Sequence, residues 1–237
     1  MTRAILLAAG FGTRLKPLTD TIPKCLVPIN GKPILEIWLE QLAQVGVRPI
    51  LINTHYLSEQ VEYYVSSSKF VNDVVLVHER EILGTARTLW ENRGFFENEP
   101  TLIIHADNYS EVDLSAFLQA HGNRPKSCKL SMVTFRVEDI TQCGIVEVNE
   151  EGVMTSFVEK PISSRSNLAN AAIYCIEPDL VDELEGMVSI SDDLLPNLIG
   201  RAFTFPSTRT LIDIGTPEAY LRAQASFSQK LTKETFR

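Results

Sequence analysis

The sequence predicts an α/β fold whose first half carries a largely parallel sheet. Strand-like and helix-like segments alternate from the start of the chain to about residue 107, a pattern typical of βαβ units. The first apolar strand runs directly into a loop with two glycines. The second half is richer in strand-like segments and contains a turn, NEEG at 149–152, that indicates a hairpin.

The first half divides into short segments of clear character. Residues 3–9 are apolar and stop at Gly10, as expected for a buried strand. Residues 33–45 form a helix pattern with one apolar face, a proline at the start and Gly46 after the end. The remaining segments, in chain order, are a strand at 49–53, a helix at 58–65, a strand at 74–77, a helix at 84–92 and a strand at 101–107.

In the second half, strands are predicted at 128–137, 144–160 and 167–176. Two helices are expected at 191–199 and 217–227, the second with Thr216 as its N-cap. No linker separates the halves, so we expect one domain, 1–237. Its first half reaches about residue 110, and its second half follows from about 111.

Composition and charge exclude several classes of protein. The chain has 237 residues, 44% hydrophobic and 22% charged, as in soluble globular proteins. No segment approaches the ~20 apolar residues of a membrane span, and the net charge of -8 argues against binding nucleic acid. The four cysteines form no C-x-x-C pair, which argues against zinc and favours a reducing cytoplasm.

Positive charge is nevertheless concentrated at the start of the chain. Residues 1–33 have a local net charge of +4, because they contain a single carboxylate, Asp20. The five cations are Arg3, Arg14, Lys16, Lys24 and Lys32. Local positive charge on an anionic protein indicates a small anionic ligand.

The loop G-F-G-T-R at 10–14 has the composition of a phosphate-binding loop. Glycines let backbone N–H groups approach phosphate oxygens, and Arg14 can hold a phosphate through two donors. The loop is not a dinucleotide fingerprint, since Leu15 stands where G-x-G-x-x-G needs a third glycine, and no Walker sequence is present.

Longer motifs occur along nearly the whole chain. They are LAAGFGTRLKPLT, PKCLVP, GKPIL, ILGTA, HAD, CGIVEV, FVEKP, NLANAAIY and LIDIGTPEAYL. Together they resemble the sugar 1-phosphate nucleotidylyltransferases, and within that family the guanylyltransferases that act on mannose or manno-heptose 1-phosphate. The resemblance implies a Rossmann-like nucleotide-diphospho-sugar transferase fold, with three layers and a mixed, mostly parallel central sheet. It implies a nucleotide-binding half up to about residue 110 and a sugar-binding half from about 111, and we expect no hexapeptide-repeat β-helix extension. It implies an enzyme that converts a nucleoside triphosphate and a sugar 1-phosphate into an NDP-sugar and pyrophosphate, with Mg²⁺.

The same resemblance assigns roles to particular residues. Arg14 and Lys24 are the candidate catalytic residues, on the β/γ-phosphates and the α-phosphate respectively, and Asp107 and Asp213 are the candidate metal ligands. The candidate nucleotide-binding residues are Ala8, Ala9, Gly10, Gly12, Thr13, Arg14, Glu79, Gly84 and Thr85. The candidate sugar-phosphate residues are Gly144, Glu159, Lys160 and Asn170. Lys24 is expected to carry little core packing.

Three positions depart from the family pattern. Ala106 and Ala172 stand where glycine is common, and Arg87 stands where a small residue is common. Each adds bulk near a proposed ligand, which leaves the phosphate and metal roles in place and affects the fit of the sugar.

Glu79 occupies the position that reads the base in this family. A carboxylate can accept from both donors of guanine, N1–H and the 2-amino group, whereas an amide matches uracil or thymine better. Glu79 therefore favours GTP, with cytosine left open. Three other functions also stay open at this point: uridylyl or thymidylyl transfer to a sugar 1-phosphate, cytidylyl transfer from CTP to choline phosphate, and an inactive subunit that senses NDP-sugars. The sequence leaves the oligomeric state open, with a homodimer as one alternative.

Overall fold

The computed structural model describes residues 2–235, and residues 230–235 are described as helical backbone alone. The strands in this range are β1 (Arg3–Leu7), β2 (Pro28–Ile29), β3 (Lys32–Pro33), β4 (Ile50–Thr54), β5 (Val74–His78), β6 (Thr101–His105), β7 (Asn108–Ser110), β8 (Leu130–Arg136), β9 (Gly144–Val148), β10 (Met154–Glu159), β11 (Leu168–Ile176), β12 (Ala202–Pro206) and β13 (Leu211–Asp213). The α-helices are α1 (Ile34–Gln44), α2 (Ser58–Ser66), α3 (Thr85–Glu91), α4 (Leu114–Asn123) and α5 (Pro217–Thr235).

The chain forms two compact units that are interleaved in sequence. The first unit contains the chain up to Ile5, Leu83–Ile104 and Asp113–Thr208. The second contains Leu6–Ile82, His105–Val112 and the chain from Arg209 onwards. The chain crosses between the two units several times, so the units do not correspond to two halves divided near residue 110. The assignment of one domain stays a prediction.

The strands of the first unit lie in the order β10-β9-β11-β6. The next strand in the sheet is β1, whose residues up to Ile5 belong to this unit. Strand β11 is antiparallel to β6, β8 and β9, and β12 adds to β8 in parallel. Strands β9 and β10 form the predicted hairpin, in which Gly152 has a φ of 77° and Asn149 Oδ1 accepts from two turn N–H groups. Helix α4 begins at the Asp113 N-cap and buries Phe117.

The second unit contains the parallel pair β4 and β5, with Thr54 opposite His78. Helix α1 is amphipathic and buries one apolar face that includes Trp38 and Leu39. Strands β7 and β13 form a short antiparallel pair, and β2 and β3 form another. Thr216 caps α5 as predicted, because its Oγ1 accepts from the Ala219 N–H at 3.2 Å.

The predicted strands and helices of the first half are confirmed to within a few residues, with Pro33 in β3 and α1 beginning at Ile34. The segment predicted as a helix at 191–199 is helical but not α-helical. It is a π-helix, Ile190–Leu194, followed by a 3₁₀ helix, Leu195–Leu198. Pro196 explains the difference, since it has no N–H for a helical hydrogen bond. Helix α4 and the short strands β2, β3, β7, β12 and β13 were not predicted.

Within residues 2–235, no helix is both long and apolar enough to cross a lipid bilayer.

Candidate active site

The loop after β1 in the second unit depends on glycine at position 12. Gly12 has a φ of 65°, and its carbonyl oxygen accepts a 2.7 Å hydrogen bond from the Thr19 hydroxyl. A Cβ at this position would lie 2.9 Å from Thr19 Cγ2 and 3.2 Å from Lys24 Cβ. Glycine is therefore needed both for the left-handed backbone and for the close approach of the Lys24 segment.

Lys24 is buried, with only 6% of its surface exposed, in the 3₁₀ turn Lys24–Leu26 that follows Pro23. Its Nζ donates to Asp107 Oδ2 at 2.7 Å and to Asp213 Oδ1 at 3.1 Å. The expectation that this loop lysine carries little packing is wrong. The reason is that two carboxylates hold the ammonium and allow its stem to be buried.

Asp107 and Asp213 meet because their chain segments pair. Strand β13 is antiparallel to β7, with Asp213 opposite Asn108, the neighbour of Asp107. Helix α1 holds β7 in place, since the Trp38 indole donates to the Asn108 carbonyl at 2.8 Å. The Ala106 N–H donates to the Leu7 carbonyl at 3.0 Å. These contacts bring two residues more than a hundred positions apart to the same ammonium group.

Arg14 extends from the 3₁₀ turn Thr13–Leu15 and is largely exposed. Its Nη2 lies 3.3 Å from Asp213 Oδ2. Gly215 makes this position possible, because a Cβ there would lie 2.7 Å from Arg14 Nη2. The predicted catalytic pair and the predicted metal ligands thus form one cluster of two cations and two carboxylates.

The charges of this cluster shift one another's pKa. Burial by itself lowers the pKa of Lys24, but Asp107 and Asp213 more than offset this, so the pKa of Lys24 lies above its ordinary value. Burial raises the pKa of Asp107, but Lys24 and His105 outweigh it and hold that pKa below its ordinary value. Lys24 and Asp107 therefore stay charged at neutral pH, and the formal charges of the four side chains cancel.

The cluster borders a cavity of about 190 Å³, whose other walls come from the glycine loop. Its lining residues are Leu7, Ala8, Gly10, Gly12, Thr13, Arg14, Lys24, Cys25, Asp107 and Gly215. A larger and more apolar groove of about 690 Å³ lies elsewhere in the second unit, where Tyr63, Tyr64 and Phe70 contribute to its walls. None of the predicted site residues lines the larger groove, so the charged chemistry belongs to the smaller cavity.

Two carboxylates beside a phosphate-sized polar cavity are the donor set that Mg²⁺ prefers. Within the described part of the chain, no group of three or more His, Cys, Asp or Glu side chains is placed to enclose a metal by itself. A pair of carboxylates suits a cation that takes its other ligands from water and substrate phosphates. The residues present therefore fit Mg²⁺ in an open site, rather than a metal enclosed by protein ligands alone.

Glu79, the predicted base reader, follows β5 and is buried. Its Oε1 accepts from Asn53 Nδ2 at 2.8 Å. The Asn53 Oδ1 in turn accepts from the Ala8 N–H at 2.8 Å. Because this N–H is directed at Asn53, a nucleotide contact by Ala8 would use another of its atoms.

Two predicted nucleotide-binding residues, Gly84 and Thr85, belong to the first unit. Gly84 has a φ of 93°, and a Cβ there would lie 2.6 Å from the Val188 carbonyl oxygen. Thr85 begins α3, and its hydroxyl oxygen accepts from the Ile190 N–H at 2.8 Å. The start of α3 is thus held against residues 188–190.

The predicted sugar-phosphate residues also lie in the first unit. A Cβ on Gly144 would lie 2.6 Å from both Glu159 Oε2 and Phe157 Cζ, so a larger residue there would displace these two side chains. Burial raises the pKa of Glu159, Lys160 opposes this and Asp192 adds to it, with a net increase. Lys160 has a φ of 46° and is mostly exposed, with its Nζ 3.9 Å from Glu159 Oε1.

Asn170 is held at both ends of its amide. Its Nδ2 donates to the Tyr174 hydroxyl at 2.7 Å, and its Oδ1 accepts from the Ala172 N–H at 3.0 Å. Ala172 has a φ of 54°, a left-handed conformation that glycine adopts at lower cost. The backbone thus explains why glycine suits this position.

The other two departures are easily accommodated. Ala106 is fully buried. Arg87 is largely exposed, and its Nε lies 3.5 Å from Glu91 Oε1 on the same helix.

Sequence reasoning missed several residues of the second-unit site. Asn53 and Gly215 were not singled out, although Asn53 ends an apolar strand and Gly215 lies in a matching motif. Phe11 was also missed. Its ring is 46% exposed and lies 5.4 Å, centroid to centroid, from His55, whose Nδ1 donates to the Glu79 carbonyl.

Comparison with known proteins identifies the family of this chain. A family model described as nucleotidyl transferase matches residues 3–230. The chain is 32% identical to a Drosophila melanogaster mannose-1-phosphate guanylyltransferase catalytic subunit beta, over 98% of this chain and 64% of that protein. It is 30% identical to a Campylobacter jejuni D-glycero-alpha-D-manno-heptose 1-phosphate guanylyltransferase, over 92% of this chain and 96% of that protein.

Solved structures show the same fold. HddC from Yersinia pseudotuberculosis superposes with a TM-score of 0.81 at 28% identity, over 96% of this chain and all of that chain. The chain spans 62% to 66% of the length of the mannose-1-phosphate enzymes that it matches. The expected Rossmann-like fold with a mixed central sheet and flanking helices is confirmed, as is the resemblance to sugar 1-phosphate nucleotidylyltransferases. The chain belongs to the nucleotidyl transferase family.

Proposed function

We propose that this protein transfers a nucleotidyl group from a nucleoside triphosphate, with GTP favoured, to a sugar 1-phosphate. The favoured sugars are mannose and manno-heptose, and the products are an NDP-sugar and pyrophosphate. One observation carries the proposal. The Lys24 ammonium lies between Asp107 and Asp213, beside a glycine loop that ends in Arg14.

The reaction joins two anions, which is its main physical difficulty. An oxygen of the sugar phosphate attacks the α-phosphorus in line, and pyrophosphate leaves without a covalent enzyme intermediate. Catalysis then requires that the reactants be held in line and that their negative charge be neutralised. The cluster in the second unit supplies fixed cations and carboxylates for this purpose.

Lys24 is suited to the α-phosphate. An ammonium group has three N–H donors, and two of them are directed at Asp107 and Asp213. We assign the third donor to an oxygen of the α-phosphate or of the attacking phosphate. The exposed guanidinium of Arg14 is assigned to the β- and γ-phosphates, where it stabilises the leaving pyrophosphate.

The four side chains sum to zero formal charge, so they do not by themselves balance a triphosphate. Asp107 and Asp213 would hold Mg²⁺ through their carboxylate oxygens. The ion, when bound, supplies Lewis-acid neutralisation of phosphate charge. The backbone N–H groups of the loop from Gly10 to Thr13 complete the phosphate contacts.

The remaining assignments follow the family motifs. Glu79 reads the base, while Gly84 and Thr85 contact the nucleotide. Gly144, Glu159, Lys160 and Asn170 bind the sugar 1-phosphate, with Lys160 on its phosphate. The names of the relatives support a guanylyl donor and a manno-configured acceptor, and HddC was solved with GMP-PN. We place the activity in the cytoplasm.

A pyrophosphate-release assay tests this function. The protein is incubated with each nucleoside triphosphate, Mg²⁺ and a panel of sugar 1-phosphates, and we expect the highest turnover with GTP and mannose or manno-heptose 1-phosphate. Absence of release from every combination would overturn the proposal. In that case, binding of an NDP-sugar without turnover would indicate a sensing subunit.

The same assay includes choline phosphate with CTP. Recognition of choline needs an open aromatic cage, yet Phe157 and Tyr174 are buried in the first unit. We therefore expect no release with choline phosphate.

A further inference from the structure

The buried carboxamide of Asn53 connects the predicted base reader to Ala8, which lies between β1 and the phosphate loop at 10–14. Asn53 lies near the end of β4 with 3% of its surface exposed. Its Nδ2 donates to Glu79 Oε1 at 2.8 Å, and its Oδ1 accepts from the Ala8 N–H at 2.8 Å. One side chain therefore contacts both segments.

The orientation of this carboxamide is determined by its two partners. The Ala8 N–H can only donate, so it must face the oxygen of the amide. The Glu79 carboxylate accepts, so it must face the nitrogen. A flipped amide would place like groups together at both ends, which excludes the alternative.

Glu79 is held at its other polar groups by the two residues that follow Asn53. The Glu79 N–H donates to the Thr54 carbonyl at 2.8 Å. The Glu79 carbonyl accepts from His55 Nδ1 at 2.8 Å. Three consecutive residues thus fix the side chain, the N–H and the carbonyl of Glu79, which leaves little freedom in how its carboxylate is presented.

We propose that Asn53 is a positioning residue for base selection. By donating to Oε1, it orients the Glu79 carboxylate so that its two oxygens can accept from N1–H and the 2-amino group of guanine. By accepting from Ala8, it also sets the distance between the base reader and the phosphate loop. This inference rests on the proposed function and on GTP as the donor.

The substitution Asn53→Asp isolates the contact with Glu79. Aspartate has nearly the same shape and still accepts from the Ala8 N–H, but it offers no donor to Glu79 and places a second negative charge beside it. Repulsion between the two carboxylates should then turn the Glu79 side chain away from residue 53.

Comparison of GTP with ITP gives a readout that a purely structural role would not move. ITP lacks the 2-amino group, so it can use only one of the two proposed contacts. We expect the ratio of kcat/KM for GTP to that for ITP to fall about tenfold in Asn53→Asp, the value of one good base contact. KM for the sugar 1-phosphate should stay unchanged.

Two further measurements strengthen the test. As the pH is lowered, the introduced carboxyl group regains a proton that it can donate to Glu79, so the GTP to ITP ratio should partly recover. In a Glu79→Gln background, Asn53→Asp should cause no further change in this ratio, because its effect acts through Glu79. Asn149→Asp is the matched control, since Asn149 uses its Oδ1 to accept in an exposed turn.

The outcomes separate the inference from the proposed function. A folded Asn53→Asp protein with the wild-type GTP to ITP ratio would overturn the role of Asn53 while leaving the guanylyltransferase intact. Equal loss with both nucleotides would indicate a structural role and would also overturn it. If Asn53→Asp does not fold, Asn53→Ala, which has no side-chain donor, tests the same loss of the contact with Glu79. Wild-type protein that releases no pyrophosphate from any nucleotide would instead overturn the function itself.

Discussion

Lys24 Nζ donates a 2.7 Å hydrogen bond to Asp107 Oδ2, although 83 residues separate them in the chain. The Lys24 ammonium would be costly to bury alone, and the half-buried Asp107 carboxylate stabilises its charge. Asp213 completes the arrangement from the opposite strand of the β7–β13 pair. The site is thus assembled in its charged form before any substrate is bound.

Removal of the Lys24 ammonium should affect both turnover and stability. In Lys24→Ala, two carboxylates lose their shared cation and the phosphates lose a donor, so we expect turnover to fall at least about 100-fold. We also expect the free energy of unfolding to fall by about 1–3 kcal/mol. Pyrophosphate release and urea titration measure the two effects.

Lys16→Ala provides the control. Lys16 lies in the same loop region but is largely exposed, and its ion pair with Asp20 is a surface pair. Its removal should change both quantities little. Near-normal turnover of folded Lys24→Ala would contradict the catalytic assignment.

The two carboxylates should set the requirement for metal. Asp213→Asn keeps the shape of the side chain but removes one charged oxygen ligand, so the Mg²⁺ concentration for half-maximal turnover should rise about tenfold or more. A Mg²⁺ titration of pyrophosphate release measures this. Asp179→Asn, which alters an exposed ion pair with Lys129, should leave the titration unchanged. An unaltered Mg²⁺ titration in Asp213→Asn would argue against this ligand.

Gly12 should be far less tolerant of substitution than Gly10. An alanine at 12 would require a left-handed backbone and would bring its Cβ within 2.9 Å of Thr19. We expect Gly12→Ala to lower the free energy of unfolding by about 1–3 kcal/mol. A Cβ on Gly10 would meet no atom within 4 Å, so Gly10→Ala should be nearly neutral for stability. Equal stability of the two variants would show that the loop has another conformation.

Ala172→Gly should stabilise the protein. The left-handed φ of Ala172 costs about 1–2 kcal/mol in a residue with a Cβ. Part of this gain is offset because glycine has more conformational freedom in the unfolded chain. We therefore expect a net increase of about 0.5 kcal/mol in the free energy of unfolding. Ala171→Gly, at the preceding buried position of β11, should instead destabilise. Thermal or urea unfolding of the two variants measures these changes. A loss of stability in both variants would show that the backbone at residue 172 is not strained.

His121 should make folding stability depend on pH. Burial, and secondarily the Arg124 charge, lowers the pKa of His121 to about 4, although Glu177 opposes this shift. The unfolded chain, with an ordinary histidine pKa near 6.5, binds the proton more readily than the folded state. The contribution of His121 is therefore fully present above about pH 6.5 and is lost as the pH falls toward 4.

His121→Gln removes this titration. We expect the difference in free energy of unfolding between pH 7 and pH 5 to be smaller in the variant than in the wild type, by about 1–2 kcal/mol. Urea titration at the two pH values measures it. An identical difference in both proteins would show that His121 titrates normally in the folded state.

Local chemistry in the sequence determined the α/β class, the glycine loop and the identities of Arg14, Lys24, Asp107 and Asp213. These features depend on short-range periodicity and on motif spacing, which a linear chain displays directly. Pro196, which prevents a continuous α-helix at 191–199, is also visible in the sequence.

The tertiary structure decided which of these groups meet. Strands β7 and β13 have three residues each, so they are too short to be predicted from hydrophobic periodicity. Their pairing nevertheless places Asp213 beside Asp107. The burial of Lys24 and the bridging role of Asn53 follow from partners 26 to 189 residues away. Such contacts arise only when distant segments pack, because hydrogen bonds and ion pairs act through space and not along the chain.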